Sequence, residues 1–258
     1  MKTLYVTSFN KRLYEATGQK MIESFIYHKT EGDLLITYED GLDEVIPKHR
    51  KFLFYNLEED EWLAQWLKEN EDIIPVFLGG KFEGEYGKAQ KFNNRASQWF
   101  RKIVALNKAM DYKSDYEAII FIDSDAIFTK HLPAENIDKV FDGSSMFYHL
   151  GRHRRESKTG IESGLIGFNL QELGGTILGI VINKFRSGEF RKYLRWDDGY
   201  MFRMVVEENP HIPTRDVADC NESNVVEYGP FAEYIFHNKG IHWKKHGLPS
   251  MKGSINPE

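Results

Sequence analysis

The chain has a single cysteine, Cys220, in 258 residues, which rules out an internal disulfide and suits a reducing compartment. It has no apolar run near the roughly 20 residues that span a membrane. Its first residues, Met1-Lys2-Thr3-Leu4-Tyr5-Val6-Thr7-Ser8, lack the apolar stretch of a secretion signal. A soluble, cytoplasmic protein is therefore expected. Positive charge is not in excess either. The formal net charge of −5 provides no overall basic field for nucleic acid, although a local basic patch is compatible with it. Internal repeats, low-complexity segments and obvious linkers are absent, so the length predicts one large domain or two closely packed lobes. Apolar side chains are plentiful: 41% of residues are hydrophobic and 14% aromatic, enough for a sizeable core.

Hydrophobic spacing predicts strands alternating with helices. A first strand is expected over 4–7, with Ser8-Phe9-Asn10 as the loop at its tip. Tyr14, Gly18, Met21, Ile22 and Phe25 recur at helical spacing and predict a helix over 12–27. A strand over 34–38, a helix marked by Trp62, Leu63, Trp66 and Leu67, and a strand over 73–77 follow. Phe92, Ala96, Trp99, Phe100, Ile103, Leu106 and Met110 step by three and four, as one face of an amphipathic helix does. Further on, helices are expected over 133–141, 177–185 and 196–207, and strands over 145–149 and 165–168. This alternation predicts an α/β fold with a mostly parallel central sheet flanked by helices.

The stretch Tyr116-Glu-Ala-Ile-Ile-Phe-Ile-Asp-Ser-Asp-Ala-Ile-Phe128 is the centre of the functional reading. Residues 118–122 are a short, continuous, β-branched run, suited to a strand buried on both faces. The run ends in Asp123-Ser124-Asp125. Two carboxylates where a strand leaves the core repel one another unless a cation lies between them, and hard divalent ions take carboxylate oxygens. The carboxyl ends of parallel strands are also where α/β sheets bind ligands. An ordinary Asp-rich turn is the alternative.

Four other stretches carry chemistry. Gly151-Arg-His-Arg-Arg-Glu-Ser-Lys-Thr-Gly160 is a basic loop bounded by glycines, either solvated or a lid over an anionic ligand. Gly174-Gly175 opens a helix and lacks the Gly-Lys-Ser/Thr ending of a P-loop, which favours close packing on the sheet. Trp196-Asp197-Asp198-Gly199 opens another helix, where either aspartate suits a cap. The C-terminal stretch His237-Asn238-Lys239-Gly240-Ile241-His242-Trp243-Lys244-Lys245-His246 follows an apolar strand. Its histidines and lysines are either a scattered surface cluster or a metal ligand beside phosphate-binding cations.

The order of these motifs resembles the GT-A glycosyltransferases that use an Asp-x-Asp motif. They are most similar to the retaining family of glycogenin and the lipopolysaccharide galactosyltransferases, or to a bacterial or phage relative. The resemblance spans nearly the whole chain. It implies a Rossmann-like single domain, with residues 1–130 as a nucleotide-binding half and 131–258 as the half that binds acceptor and completes the metal site. It implies donor contacts at Thr7, Ser8 and Phe9, and from Asp123, Ser124 and Gly164. Glu162-Ser163-Gly164 corresponds to the turn that lines the sugar site. Asp197-Asp198 corresponds to the acidic turn near the reacting carbon. The catalytic candidates are thus Asp197, Asp198 and Glu162. The C-terminal His-x-x-Gly implies a metal set of Asp123, Asp125 and His237, with Gly240 and Lys244 at the phosphates. The family's Lys-Pro-Trp ending is absent and Lys244 lies one position late, which leaves His242 as a rival ligand.

What the resemblance implies is chemically coherent. The donor would be a nucleotide-sugar, expected to be a UDP-sugar, and a divalent ion would neutralise its departing diphosphate. Carboxylates with one imidazole favour Mn2+ over Mg2+. Arg95 and Lys102, seven apart on one helix, are further donor-site candidates, with a solvated helix face as the alternative. The acceptor is a hydroxyl of a glycan, a protein or modified DNA, the last disfavoured by the acidic balance. Retention of anomeric configuration is expected. A haloacid dehalogenase-like phosphatase is a rival, but its Asp-x-Asp lies near the chain start and continues into Gly-Thr. A sugar-nucleotide pyrophosphorylase needs a glycine-rich loop after the first strand, which Thr7-Ser8-Phe9-Asn10 is not. A catalytically inactive GT-A binding module is the third.

Overall fold

The computed structural model describes residues 1–71, 93–156, 159–218 and 225–237. The strand expected over 73–77, together with Gly240, His242 and Lys244, lies outside the described residues. In chain order, the elements that matter are β1 (Thr3–Phe9), α1 (Gln19–Tyr27), β2 (Asp33–Tyr38), β3 (Phe52–Asn56), α2 (Glu61–Glu69), α3 (Ala96–Ala109), β4 (Ala118–Ile122) and β5 (Ala126–Phe128). They continue with α4 (Ala134–Phe141), β6 (Met146–His149), α5 (Gly151–Glu156), β7 (Glu162–Asn169), α6 (Gly174–Arg186), α7 (Asp198–Glu208), β8 (Thr214–Asp216) and β9 (Ile235–His237).

Seven strands form one sheet in the order β3-β2-β1-β4-β7-β6-β8, and β5 pairs with β9 separately. The pairs β1–β2, β2–β3, β1–β4 and β6–β8 are parallel, whereas β7 runs antiparallel to both β4 and β6. The fold is thus α/β with a mostly parallel central sheet, as expected, and strands from both halves of the chain share it. Alternation along β4 explains the layering. Ile119 and Phe121 face a core formed with α3, α6 and α7, while Ala118, Ile120 and Ile122 face one formed with α1 and α4. A strand covered on both faces has no polar face, hence its unbroken apolar run. In the first core Trp66 stacks on Phe100 with ring centroids 4.1 Å apart. Deleting such a ring costs about 3–5 kcal/mol.

Four local expectations are corrected. Ser8 and Phe9 are not loop residues: β1 runs on through Phe9, paired with β2 as far as Tyr38. Glu162-Ser163-Gly164 is not a turn but the start of β7, extended because it lies between β6 and the end of β4. The basic stretch after Leu150 is not all loop. Its first residues form α5, which is anchored from a distant strand: Asp216 accepts from the amides of Leu150 (2.9 Å) and Gly151 (3.2 Å) and from the Arg155 guanidinium (2.6 Å). The helix expected over 12–27 contains a π turn, Tyr14–Gly18, between the helical turn Lys11–Leu13 and α1. At Gly174 the close-packing expectation holds, since a Cβ there would lie 2.5 Å from the Asn169 backbone and 2.6 Å from the Ser145 carbonyl.

Candidate active site

Three strand ends converge on one place. β4 delivers Asp123 at its carboxyl end, and the following turn is closed by the Ala126 amide donating to the Asp123 carbonyl at 3.0 Å. β7, being antiparallel, brings its first residues to the same end. There the Asp123 amide donates to the Gly164 carbonyl at 2.8 Å. The chain then enters β5, whose partner β9 sets His237 opposite Ala126. The imidazole Nε2 of His237 lies 3.3 Å from Asp125 Oδ1, and both side chains are buried. The pairing of β5 with β9 therefore joins segments more than a hundred residues apart.

Lys102 lies on the other side of Asp123. Its ammonium contacts Asp123 Oδ1 at 3.1 Å and Asp198 Oδ2 at 2.8 Å, and donates to the Ser163 carbonyl (3.0 Å) and hydroxyl (3.2 Å). The Phe121 ring lies beneath it, 4.4 Å from the nitrogen. An unpaired ammonium at this depth would cost several kcal/mol, and these partners offset that cost. Burial alone would lower the Lys102 pKa, but Asp123 and Asp198 reverse the effect and hold it above the ordinary lysine value. The solvated-face alternative does not hold for Lys102. It does describe Arg95, which is exposed at the N-cap of α3.

The acidic side of the site is under electrostatic pressure. Burial raises the pKa of Asp123, and Asp125 and Asp198 add to this, while Lys102 and His237 oppose it. Its side chain nonetheless keeps 35% of its surface open, so a ligand can reach it. Burial disfavours the His237 imidazolium, yet the hydrogen bond with Asp125 and the charges of Glu162, Asp125 and Asp123 raise its pKa overall. Ligand atoms of Asp123, Glu162 and His237 all lie within 4.8 Å of one another. Two carboxylates and an imidazole are a donor set that suits a divalent ion such as Mn2+.

The other candidates are placed as follows. Of the acidic pair opening α7, only Asp198 faces Lys102. Asp197 is the helix cap: it accepts from the Tyr200 amide at 3.1 Å and from Arg195 Nε at 2.7 Å. Burial raises its pKa, against the opposing effect of Arg195. Gly164 is a glycine for want of space, since a Cβ would lie 2.8 Å from Asp123 Oδ2 and 3.0 Å from His237 Nε2. Ser124 is buried, with its hydroxyl 3.4 Å from that of Thr17 in the π turn. Thr7 and Phe9 are buried in β1, and Ser8 alone of the three keeps partial exposure. No described contact joins Thr7, Ser8 or Phe9 to the acidic cluster.

Ser163 and His149 were not anticipated. Ser163 carries no signal beyond its neighbours. His149 is buried beside Glu162 in the register of β6 with β7. Its Nδ1 lies 3.1 Å from the Leu165 carbonyl, which can only accept, so Nδ1 carries the hydrogen. Burial pushes its pKa down to about 4.

No family model matches the chain, and no curated protein matches it by sequence. Among solved structures, mouse xyloside xylosyltransferase 1 in its apo form is 15% identical, with a TM-score of 0.49 over 92% of this chain and 97% of that one. A glycosyltransferase involved in glycosylating the major capsid of PBCV-1 is 13% identical, with a TM-score of 0.45 over 95% and 100% of the two chains.

Proposed function

We propose that the chain is a metal-dependent glycosyltransferase, moving a sugar with retention from a nucleotide-diphosphate donor, a UDP-sugar, to a hydroxyl of a glycan or similar acceptor. The observation that carries this reading is the meeting of Asp123, Asp125, Glu162 and His237 with Lys102 and Asp198 at the carboxyl end of β4. A divalent ion held by Asp123, Asp125 and His237 would supply charge neutralisation for a departing diphosphate. Mn2+ suits that donor set better than Mg2+, which prefers oxygen ligands alone.

The chain's own residues have distinct roles in this reading. Lys102 holds Asp123 and Asp198 at fixed positions through one ammonium, so the metal side and the sugar side of the site are set relative to each other. Asp198 is the carboxylate placed to stabilise positive charge on the sugar ring, or to attack its anomeric carbon transiently. Asp197 supports it by capping α7. Ser124 and Gly164 shape the donor site, Gly164 by leaving room between Asp123 and His237. Among the described residues no helix is long and apolar enough to cross a membrane.

The test is incubation with UDP-sugars and Mn2+, followed by NMR of the first-formed sugar. Slow turnover releasing a product with the donor's anomeric configuration is expected. An inverted product from an α-linked donor removes retention from the reading. Inorganic phosphate released from phosphomonoesters, with UDP-sugars untouched, points to the phosphatase instead.

A further inference from the structure

The resemblance gives Glu162 to the sugar site, as part of a turn. In the structure it is part of a strand, and it faces the histidine. We propose that Glu162 is a direct ligand of the divalent cation, completing a site that holds the ion on the free protein before any nucleotide arrives. This rests on the reading of the cluster as a metal site.

Three observations support it. The first is distance. Two ligands about 2.1 Å from one ion can be at most about 4.2 Å apart. Ligand atoms of Asp123, Glu162 and His237 already lie within 4.8 Å of one another, so a small inward movement closes them on an ion. Asp125 Oδ1 and His237 Nε2, at 3.3 Å, are close to the roughly 3.0 Å expected of neighbouring ligands at right angles.

The second is the division of labour within Asp123. Its Oδ1 meets Lys102 at 3.1 Å, while its Oδ2 is directed to the other side, close to Gly164 and His237. Glu162 is on that second side, two residues before Gly164 on the same strand. The lysine therefore lies on the Asp123–Asp198 side, and the donor atoms of Glu162, His237 and Asp125 converge on the other.

The third is charge. Among the described residues, the carboxylates of Asp123, Asp125, Glu162 and Asp198 lie around the Lys102 ammonium and the His237 imidazole. With only the two aspartates of the motif and a histidine, much of the ion's coordination would fall to diphosphate oxygens. A third carboxylate on the same side raises the anionic charge available from protein alone. Ligand charge count is one of the factors that sets divalent-ion affinity.

The experiment is titration of Mn2+ into the 258-residue chain without nucleotide, reading the free hexaaquo ion by electron paramagnetic resonance. The wild type should bind one ion per chain. Glu162→Gln should bind it about ten- to hundredfold more weakly. Glu162→Asp, which keeps the charge but shortens the reach, should fall between them and serves if the glutamine variant fails to fold. Glu135→Gln, at an exposed position on α4, should match the wild type. If Glu162→Gln and Glu162→Asp bind as the wild type does while His237→Ala loses the ion, the metal site stands and the assignment of Glu162 is wrong. If the wild type binds no Mn2+ in this assay but does so once UDP is added, the pre-loaded site is wrong and the metal reading survives. If it binds none in either condition, both fall.

Discussion

Among the described residues two lysines are buried, and their surroundings differ. Lys102 on α3 lies between Asp123 and Asp198, and Asp198 is only 3% exposed. Lys184 on α6 meets Glu189 and Glu208 at 2.9 and 3.0 Å and the Tyr193 hydroxyl at 2.6 Å, but those carboxylates are 40% and 42% exposed. Both lysines have their pKa raised by their partners against the effect of burial. A buried, paired lysine therefore does not by itself identify a site. Lys102 differs because Asp198 is buried with it, and because its two carboxylates, at the end of β4 and the start of α7, continue into a cluster containing His237. Lys184 pairs α6 with the surface turn that follows and with the end of α7. It ties helices together at the edge of the molecule.

The sharpest way to break this contrast is to remove each ammonium. Lys102→Met should destabilise the fold by about 3–5 kcal/mol, because Asp198 is left buried without its ammonium. Lys184→Met should cost on the order of 1 kcal/mol, since water screens Glu189 and Glu208. Urea denaturation of both variants measures the difference. Equal losses would mean that the depth of the carboxylates does not matter.

A buried base without an ion pair should behave in the opposite sense. His149 stays neutral in the fold because burial lowers its pKa from 6.5 to about 4. Below pH 6.5 the unfolded chain takes up a proton that the folded chain refuses, so stability falls as the pH drops from 6.5 to 4 and levels off below. The size is on the order of 3 kcal/mol if no other group changes. Thermal melts of the wild type and His149→Asn across this range should show a shallower acid slope in the variant. Parallel slopes would place the acid sensitivity elsewhere.

The smallest effect separates the two aspartates of α7. Asp197→Ala should cost about 1 kcal/mol of stability through loss of the helix cap. Asp198→Asn, which leaves Asp123 as the one carboxylate on Lys102, should also lose stability but should lower turnover far more than Asp197→Ala does. Denaturation and UDP-sugar hydrolysis measured together on both variants would reveal an exchange of roles.

The sequence shows some parts of this arrangement plainly and hides others for physical reasons. β4 was legible because a strand covered on both faces must be apolar throughout, and the carboxylates that follow break the run abruptly. β3 is not legible in the sequence: it is an edge strand, and only Phe52 of its five residues is buried, so it lacks the run that betrays β4. The reversed direction of β7 depends on a pairing between distant segments, so local spacing predicted its existence and not its orientation. That reversal makes Glu162 part of the site. The buried state of Lys102 was available in the pattern: it falls between Trp99 and Leu106 at helical steps of three and four, on the inward stripe of α3. Helix α5 does not show in the sequence because it has no apolar anchor of its own; Asp216, more than sixty residues away, supplies the anchor.

The central claim is that this cluster binds a cation that in turn binds a nucleotide-sugar. UDP binding by calorimetry, with and without Mn2+, on the wild type and Asp125→Ala tests it most directly. The account predicts that Mn2+ tightens UDP binding to the wild type, that Asp125→Ala weakens the Mn2+-dependent binding by about ten- to hundredfold, and that binding without metal changes little. Unchanged Mn2+-dependent binding and full activity in Asp125→Ala would contradict it.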